Sequence, residues 1–203
     1  MLPKSTDTII CMTDSQVEDI KSLYKEKIEK KSIKIPPVHS INRWLIKEYE
    51  EFCMVSESNE NFSVLNGIEE KILWEKIIQK DLKEQKFQKK QIESITEKVI
   101  SADKIIREYK IKNSELKDYE FSDEEKKFNK WLNQFKSHCK QKSLISKLSF
   151  IEFFIEKQIK HNIIQNEELL LVGFDNRNPL YENLINVLNK TNSLRDFEYK
   201  EEE

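Results

Sequence analysis

Glycine is almost absent from this 203-residue chain, which contains only two, and proline is rare, with four. Glycine supplies the positive φ angles of tight turns and lets a backbone approach a phosphate group closely. We therefore expect long helices and few tight hairpins. The phosphate-binding loop of P-loop nucleotide hydrolases and the dinucleotide-binding fingerprint each need several glycines at close, fixed spacing. Gly67 and Gly173 are far apart in the sequence, so neither motif is present.

Cysteine is equally scarce and does not form a recognisable pattern. Cys11, Cys53 and Cys139 are odd in number and distant from one another, which fits neither a disulfide framework nor the paired spacing of a zinc site. The expected environment is therefore reducing, that is, cytoplasmic. No apolar run is long enough for a membrane span, and the N-terminus has no signal-peptide pattern. The sequence thus predicts no contact with a membrane.

Charge is abundant but balanced. The 35 lysines and arginines face 37 aspartates and glutamates, which leaves a formal net charge of -2. No overall field therefore attracts nucleic acid or an anionic membrane, and any contact with DNA must come from a local patch. Lysines surround Phe87 and His138, but acidic residues lie close to both clusters. A solvated helix face is the preferred interpretation of each cluster.

Catalytic and metal-binding patterns are also missing. His39, His138 and His161 are scattered and have no second pair of ligands nearby. Two-metal nucleases place an Asp/Glu-x-Lys triplet on a strand, whereas the triplets in this chain fall in Glu/Lys-rich helical stretches and are best explained by chance. We expect no metal, no cofactor and no complete catalytic site in the chain.

Apolar residues form short continuous runs near both ends of the chain. Residues 8–12 are such a run, and Thr13 follows as the first of three residues that can cap a helix. Residues 169–172 form a second run, bounded by Gly173 and a polar turn. Each run is too short for a helix and is typical of a buried strand. Weaker patterns predict further strands at residues 33–35 and 194–199.

The middle of the chain shows helical periodicity instead. Apolar residues recur every three or four positions for most of a hundred residues, as in Ile68, Ile72, Leu73 and Ile77. Strand-helix units at the ends and helices between them predict an α/β, predominantly α-helical fold with a small parallel sheet. The predicted domains are an α/β core formed by residues 1–47 and 166–203 and a helical insertion formed by residues 48–165.

Three tryptophans and one capping pattern refine this prediction. Trp44, Trp74 and Trp131 each lie in phase with the apolar stripe of their helix, which favours a place in the core over a role in base stacking. Ser122 and Glu125 have the spacing of a capping box, so a helix is expected to begin between them.

Five landmarks occur in order along the chain. They are an apolar strand with a threonine turn (residues 9–13), a proline segment leading to Trp-Leu (36–45), a Leu-Trp helix (70–78), a Phe-x-x-Trp helix (128–131) and a strand ending in Gly-Phe-Asp before a proline (169–180). Their order resembles the N-terminal, inactivated superfamily 1 helicase-like region of AddB-like bacterial DNA-repair proteins, which carry a C-terminal PD-(D/E)XK nuclease. The resemblance implies a sheet of the P-loop NTPase type.

The resemblance also implies that the chain is not an enzyme. In active helicases the strand equivalent to residues 169–172 ends in an Asp-Glu pair that holds Mg²⁺ and activates water. Gly173 and Phe174 can do neither. Thr13 begins a turn that stands in place of the phosphate-binding loop, so both Walker motifs are lacking. The family's nuclease is expected in a missing C-terminal part, and the chain is therefore expected to be a fragment.

The function implied by the resemblance is that of a scaffold and DNA guide in DNA repair or recombination. Its expected partners are DNA and the C-terminal nuclease and helicase segments or a helicase subunit. Ligands of open α/β sheets bind at the carboxyl ends of strands, so the candidate DNA-contacting residues are Thr13, His39, Ser40, Asp175, Asn176, Arg177 and Asn178. Helix capping and turn formation are the alternative roles of these residues.

Two rival functions remain open. One is a helical protein-protein interaction module that binds no nucleic acid. The other is an enzyme, either a divergent nuclease or a nucleotide hydrolase.

Overall fold

The computed structural model describes residues 7–28, 35–56, 62–83, 87–112 and 122–197. In chain order its elements are β1 (Thr8–Cys11), α1 (Asp14–Ile28), β2 (Val38–Ser40), α2 (Ile41–Ser56), β3 (Ser63–Val64), α3 (Gly67–Leu82), α4 (Lys89–Glu108), α5 (Asp123–Gln141), β4 (Leu144–Ile145), α6 (Lys147–His161), β5 (Glu168–Val172), α7 (Pro179–Leu188) and β6 (Ser193–Asp196). The fold is α/β and predominantly helical, with a small parallel sheet, as the sequence predicts.

The chain divides into two compact units. The sheet unit comprises Met1–Asn59 and Phe153–Glu203, and the helical unit comprises Glu60–Glu152. The sequence predicts domain boundaries at residues 47/48 and 165/166, whereas the two units meet at residues 59/60 and 152/153. Helix α2 therefore lies wholly in the sheet unit. The reason is that α2 packs on β1 and β2, and its residues Trp44 and Leu45 are buried.

The sheet has the strand order β2-β1-β5-β6, and all its pairings are parallel. Ile9 pairs with Leu170 and Cys11 pairs with Val172, so the two apolar runs near the ends of the chain lie side by side, as predicted. The side chains of β1 are buried on both faces of the sheet. This double burial explains why a parallel strand appears in the sequence as a continuous apolar run.

The predicted strand at residues 33–35 can be judged only at Ile35. Residues 33 and 34 lie outside the described residues, Ile35 is irregular, and β2 begins only at Val38. Prolines 36 and 37 have no N–H to donate to a neighbouring strand. The Pro37 carbonyl nevertheless accepts a hydrogen bond from Ile9 N at 2.8 Å, which fixes the register just before β2 starts.

The last strand is shifted slightly from its predicted bounds. The sequence predicts residues 194–199, and β6 covers Ser193–Asp196. Residues 198 and 199 lie outside the described residues.

The order of the four strands creates a topological switch point. From β1 the chain moves to β2 on one side and later to β5 on the other, so a crevice is expected between the carboxyl ends of β1 and β5. Counting only these four strands, the order is 2-1-3-4, which is also the beginning of flavodoxin-like sheets. The P-loop NTPase type of the sheet therefore stays a prediction from the resemblance.

The helical unit has a core of its own. Trp74 is completely buried and stacks on Phe135 with ring centroids 4.2 Å apart and an angle of 5° between the planes. All three tryptophans are buried, which confirms the prediction from periodicity. The capping box at the start of α5 is confirmed too, because Ser122 N donates to Glu125 and Glu125 N donates to Ser122 Oγ. In the described residues, every helix is too short or too polar to cross a membrane.

Candidate nucleic-acid interface

The carboxyl ends of the four parallel strands lie at the same edge of the sheet, where α1, α2 and α7 begin. We call this region the C-terminal edge, and its residues are 13–16, 39–43, 173–178 and Asp196. It contains every candidate residue named from the sequence. Helix N-termini present free backbone N–H groups, which favour anionic ligands.

Thr13 caps the N-terminus of α1. Gln16 N donates to Thr13 Oγ1 at 3.3 Å, and Thr13 N donates to Gln16 Oε1 at 3.1 Å. This reciprocal pair is a capping box, with glutamine in the third helical position. The threonine hydroxyl therefore has a structural role, although the residue is exposed.

Gln16 also lies directly against Gly173, at the end of β5. Gly173 has φ +77°, and a Cβ added to it would lie 2.0 Å from Gln16 Nε2. A side chain at this position would be strained by the φ and would require the end of the Gln16 side chain to move. The glutamine side chain thus fills the space between the start of α1 and the end of β5, which is the switch point of the sheet.

The turn after β5 is held by its own side chains. Arg177 Nε donates to the Phe174 carbonyl at 2.9 Å, and the guanidinium forms an ion pair with Asp196 at the end of β6. Asn178 Oδ1 accepts from Tyr181 N at 3.1 Å and caps α7, which begins at Pro179. Capping by Asn178 and the helical start at proline agree with the sequence pattern.

Asp175 and Asn176 occupy the exposed part of the same turn. Like Thr13, they are open to a ligand from solvent. Asp175 carries a negative charge towards solvent, so it opposes the binding of a phosphate unless a cation lies close by.

His39 and Ser40 lie on β2, where they pair with Ile10 and Cys11. Ser40 is buried, so its hydroxyl cannot touch a ligand unless β2 moves. Burial, together with the nearby Lys47 and Lys21, lowers the pKa of the half-buried His39. The ring is therefore neutral at neutral pH and adds no positive charge to the C-terminal edge.

An ion pair connects the starts of α1 and α2. Arg43 Nε lies 3.2 Å from Asp14 Oδ1, and the two side chains are 77% and 62% exposed. The arginines of the C-terminal edge, Arg43 and Arg177, are thus each paired with an aspartate. Both pairs are accessible to solvent, and such pairs contribute little stability, about 0–1 kcal/mol each.

Gln16, Arg43 and Asp196 also contribute to this edge and were not among the candidates from the sequence. Gln16 could have been found, because Thr13 and Gln16 have capping-box spacing. Arg43 could also have been found, because it lies in the first turn of the helix that the sequence predicts after Ser40. Asp196 could not be found, since its place beside Arg177 depends on the pairing of β5 with β6.

A second group of charged residues lies inside the helical unit. Arg107 Nε is 2.9 Å from Asp103 Oδ2, and both side chains are at least 90% buried. Arg107 Nη1 also lies 3.5 Å from Glu152 Oε2. Burial raises the pKa of Glu70 and of Glu152, whereas burial and then the nearby Arg107 lower the pKa of Lys136. We call these five residues the buried charge cluster after its buried members Asp103 and Arg107; Glu70, Lys136 and Glu152 are half-buried.

The buried charge cluster has no signature in the sequence. Asp103 and Arg107 are four residues apart on α4, a spacing that usually indicates an exposed helical pair. The structure places them inside the unit instead. In the described part of the chain, Asp103 Oδ1 has no hydrogen-bond partner. Within that same part, no group of three histidines, cysteines or acidic residues could hold a metal ion.

Comparison of the chain with protein-family models and with curated protein sequences gives no significant match. The resemblance to AddB-like proteins, and the activity and partners that it implies, therefore stay predictions.

Proposed function

We propose that the chain is a catalytically inert, helicase-like domain that acts as a scaffold and DNA guide in a bacterial helicase-nuclease of DNA repair or recombination. The observation that carries the proposal is the pairing of β1 with β5, which brings the turn at Thr13 beside Gly173. These are the positions at which the resembled helicases hold the phosphate-binding loop and the catalytic carboxylates.

The filled switch point supports the lack of catalysis. A nucleotide phosphate would have to displace the Gln16 side chain from Gly173 and break its hydrogen bond to Thr13 N. The first carboxylate after β5 is Asp175, two residues beyond the glycine and exposed. No side chain at the end of β5 therefore takes the place of the Asp-Glu pair that activates water in a helicase.

The exposed ion pairs support a role in guiding DNA. Arg43 and Arg177 each face an exposed aspartate, and a pair of this kind is weak enough for a phosphate to replace the carboxylate. The amide groups at the starts of α1, α2 and α7 that Thr13 and Asn178 do not engage add further donors for phosphate oxygens. Contacts of this type depend on the DNA backbone and not on base sequence, as a guide requires.

The proposed setting is the cytoplasm, because the described cysteines, Cys11, Cys53 and Cys139, are all free thiols. The proposed partners are DNA and the nuclease and helicase segments of a longer chain or of a helicase subunit. Because the edge contains no complete active site, any cutting must come from those partners.

Binding of single-stranded DNA tests the proposal. Fluorescence anisotropy of a labelled oligothymidylate is expected to rise with protein concentration at low salt. The logarithm of the affinity should fall with the logarithm of the salt concentration, by roughly 0.7 for each phosphate neutralised. Arg177→Glu should weaken binding about fivefold, corresponding to roughly 1 kcal/mol.

Arg195→Glu is the matched control. Arg195 is an exposed arginine of β6 that pairs with Glu168, at the opposite end of β5 from Gly173. This variant should retain the affinity of the unmodified chain. Equal weakening by both variants would show that DNA does not bind at the C-terminal edge.

A protein-protein interaction module without nucleic-acid binding is the second candidate. The observation in its favour is that both arginines of the edge are already neutralised by aspartates. Lack of oligothymidylate binding at the lowest ionic strength would favour this candidate over the DNA guide.

A further inference from the structure

Helix α3 is apolar on two sides. Its inner side contributes Leu73 and Ile77 to the core of the helical unit. On its outer side Ile68 is 74% exposed and Ile72 is 44% exposed. Periodicity places all four residues on one stripe, but the structure covers only part of that stripe. Removing an isoleucine side chain from water is favourable. Two exposed isoleucines on neighbouring turns therefore form an apolar surface that a partner can cover.

Ile72 lines a groove of about 810 Å³ between α3 and α5, and Ile68 lies one helical turn before Ile72 on α3. We call this groove the α3/α5 groove. Its floor is aliphatic and its rims are polar. The floor residues are Leu65, Ile72, Leu73, Ile77 and Leu144, and the rim residues are Glu69, Lys76, Lys80, Gln134, Ser137, His138 and Gln141.

The rim of the groove on α3 is positively charged. Lys76 and Lys80 lie one helical turn apart, both are exposed, and neither forms an ion pair within the described residues. The acidic rim residue is Glu69, whose carboxylate accepts a hydrogen bond from Asn66 N at 2.9 Å in the capping box of α3. Among the described lining residues, two unpaired lysines therefore meet a single carboxylate, which leaves a surplus of positive charge.

We propose that the α3/α5 groove binds an acidic amphipathic helix of a partner protein. An amphipathic helix lays its apolar face on such a floor, and its acidic side chains would meet Lys76 and Lys80. From Ile68 to Lys80 the axis of α3 extends about 18 Å, at about 1.5 Å per residue, which matches about three turns of a bound helix. The aliphatic floor offers no aromatic ring for stacking a base, so nucleic acid is disfavoured.

A second groove of the helical unit has no surplus of charge. It is lined by aromatic residues that include Phe87, with Lys98 and Lys127 opposed by Glu124 and Glu125. Its charges balance, so it selects no partner by charge. The α3/α5 groove differs in its surplus of positive charge. The proposed binding of a partner helix in the α3/α5 groove goes beyond DNA guiding and does not depend on the proposed DNA binding.

A designed peptide tests the proposal. The probe is a capped helical peptide of about three turns, with leucine every third or fourth position and glutamate on both flanks. Its labelled form is titrated with the full chain, beside a scrambled peptide of the same composition. The designed peptide should bind and the scrambled one should not. Ile72→Glu should weaken binding at least about tenfold.

Ile105→Glu is the matched control for the apolar contact. Ile105 is a 52% exposed isoleucine on α4 in the same unit. Its replacement should leave peptide binding unchanged. Circular dichroism melting curves should be alike for both variants, because both positions are open to solvent.

A charge swap tests the choice of an acidic partner. The double variant Lys76→Glu/Lys80→Glu should lose the glutamate peptide and bind a peptide in which lysine replaces every glutamate. The proposal is overturned if the scrambled peptide binds equally well, if Ile105→Glu weakens binding as much as Ile72→Glu, or if the charge swap changes nothing. Displacement of the peptide by oligothymidylate would assign the groove to nucleic acid. Dimers of the chain that Ile72→Glu abolishes would assign it to a second copy.

Discussion

Replacing Arg107 with methionine is expected to lower the free energy of unfolding of the helical unit by about 3–5 kcal/mol. The substitution leaves Asp103 buried without its ion-pair partner, and Asp103 Oδ1 already lacks a hydrogen bond among the described residues. Charge left unpaired in a protein interior costs far more than the same charge at the surface. Urea denaturation followed by tryptophan fluorescence measures the change, because Trp74 and Trp131 lie in this unit.

Two further variants separate the effect of burial from the loss of an arginine. Arg195→Met removes a guanidinium that is 57% exposed beside Glu168, and should cost less than about 1 kcal/mol. The double variant Asp103→Leu/Arg107→Met replaces the whole buried pair with apolar groups and should recover most of the lost stability. A cost of Arg107→Met no larger than that of Arg195→Met would mean that the pair is not buried as described.

Gly173→Ala is expected to lower the free energy of unfolding by about 2–3 kcal/mol. Part of the cost is the φ of +77°, which an alanine adopts only with strain. The remainder arises because the new Cβ must push the Gln16 side chain away, and this breaks its hydrogen bond to Thr13 N. Urea denaturation monitored by circular dichroism is the measurement.

The other glycine is a natural control. Gly67 is the first residue of α3, and a Cβ added there meets no atom within 4 Å. Gly67→Ala should therefore leave stability unchanged or raise it by up to about 1 kcal/mol. Gln16→Ala combined with Gly173→Ala should cost less than the sum of the single changes, because the clash is removed and the φ strain stays. Simple additivity would contradict the contact between Gln16 and Gly173.

The larger features of the fold could be predicted from the sequence because they depend on local patterns. Residues 169–172 are apolar on both faces and are followed by glycine and a polar turn, so a buried strand is the natural interpretation. β2 could not be predicted in this way. It is three residues long, and its position depends on the hydrogen bond from Ile9 N to the Pro37 carbonyl.

The candidate site could be predicted only in outline. The rule that ligands bind at the carboxyl ends of strands led to Thr13 and residues 175–178, and the pairing of β1 with β5 brings the two ends together. The rule does not show which side chains fill the crevice. That Gln16 covers Gly173, and that Ser40 is buried, follow from packing between elements distant in sequence.

The two proposals assign different tasks to the two units. The C-terminal edge in the sheet unit would contact DNA through exposed arginines and helix starts, whereas the α3/α5 groove in the helical unit would hold a partner protein. The balanced net charge of the chain is compatible with both, because each site depends on a local arrangement of charge. Each assignment can fail without affecting the other.

Photocrosslinking tests the central claim most directly. The chain is irradiated with an oligothymidylate that contains 4-thiothymidine, and the crosslinked peptides are identified by mass spectrometry after proteolysis. DNA guided over the C-terminal edge should crosslink to residues 13–16, 39–43 and 175–178. Crosslinks confined to Glu60–Glu152, or an absence of crosslinks at saturating DNA, would contradict the account.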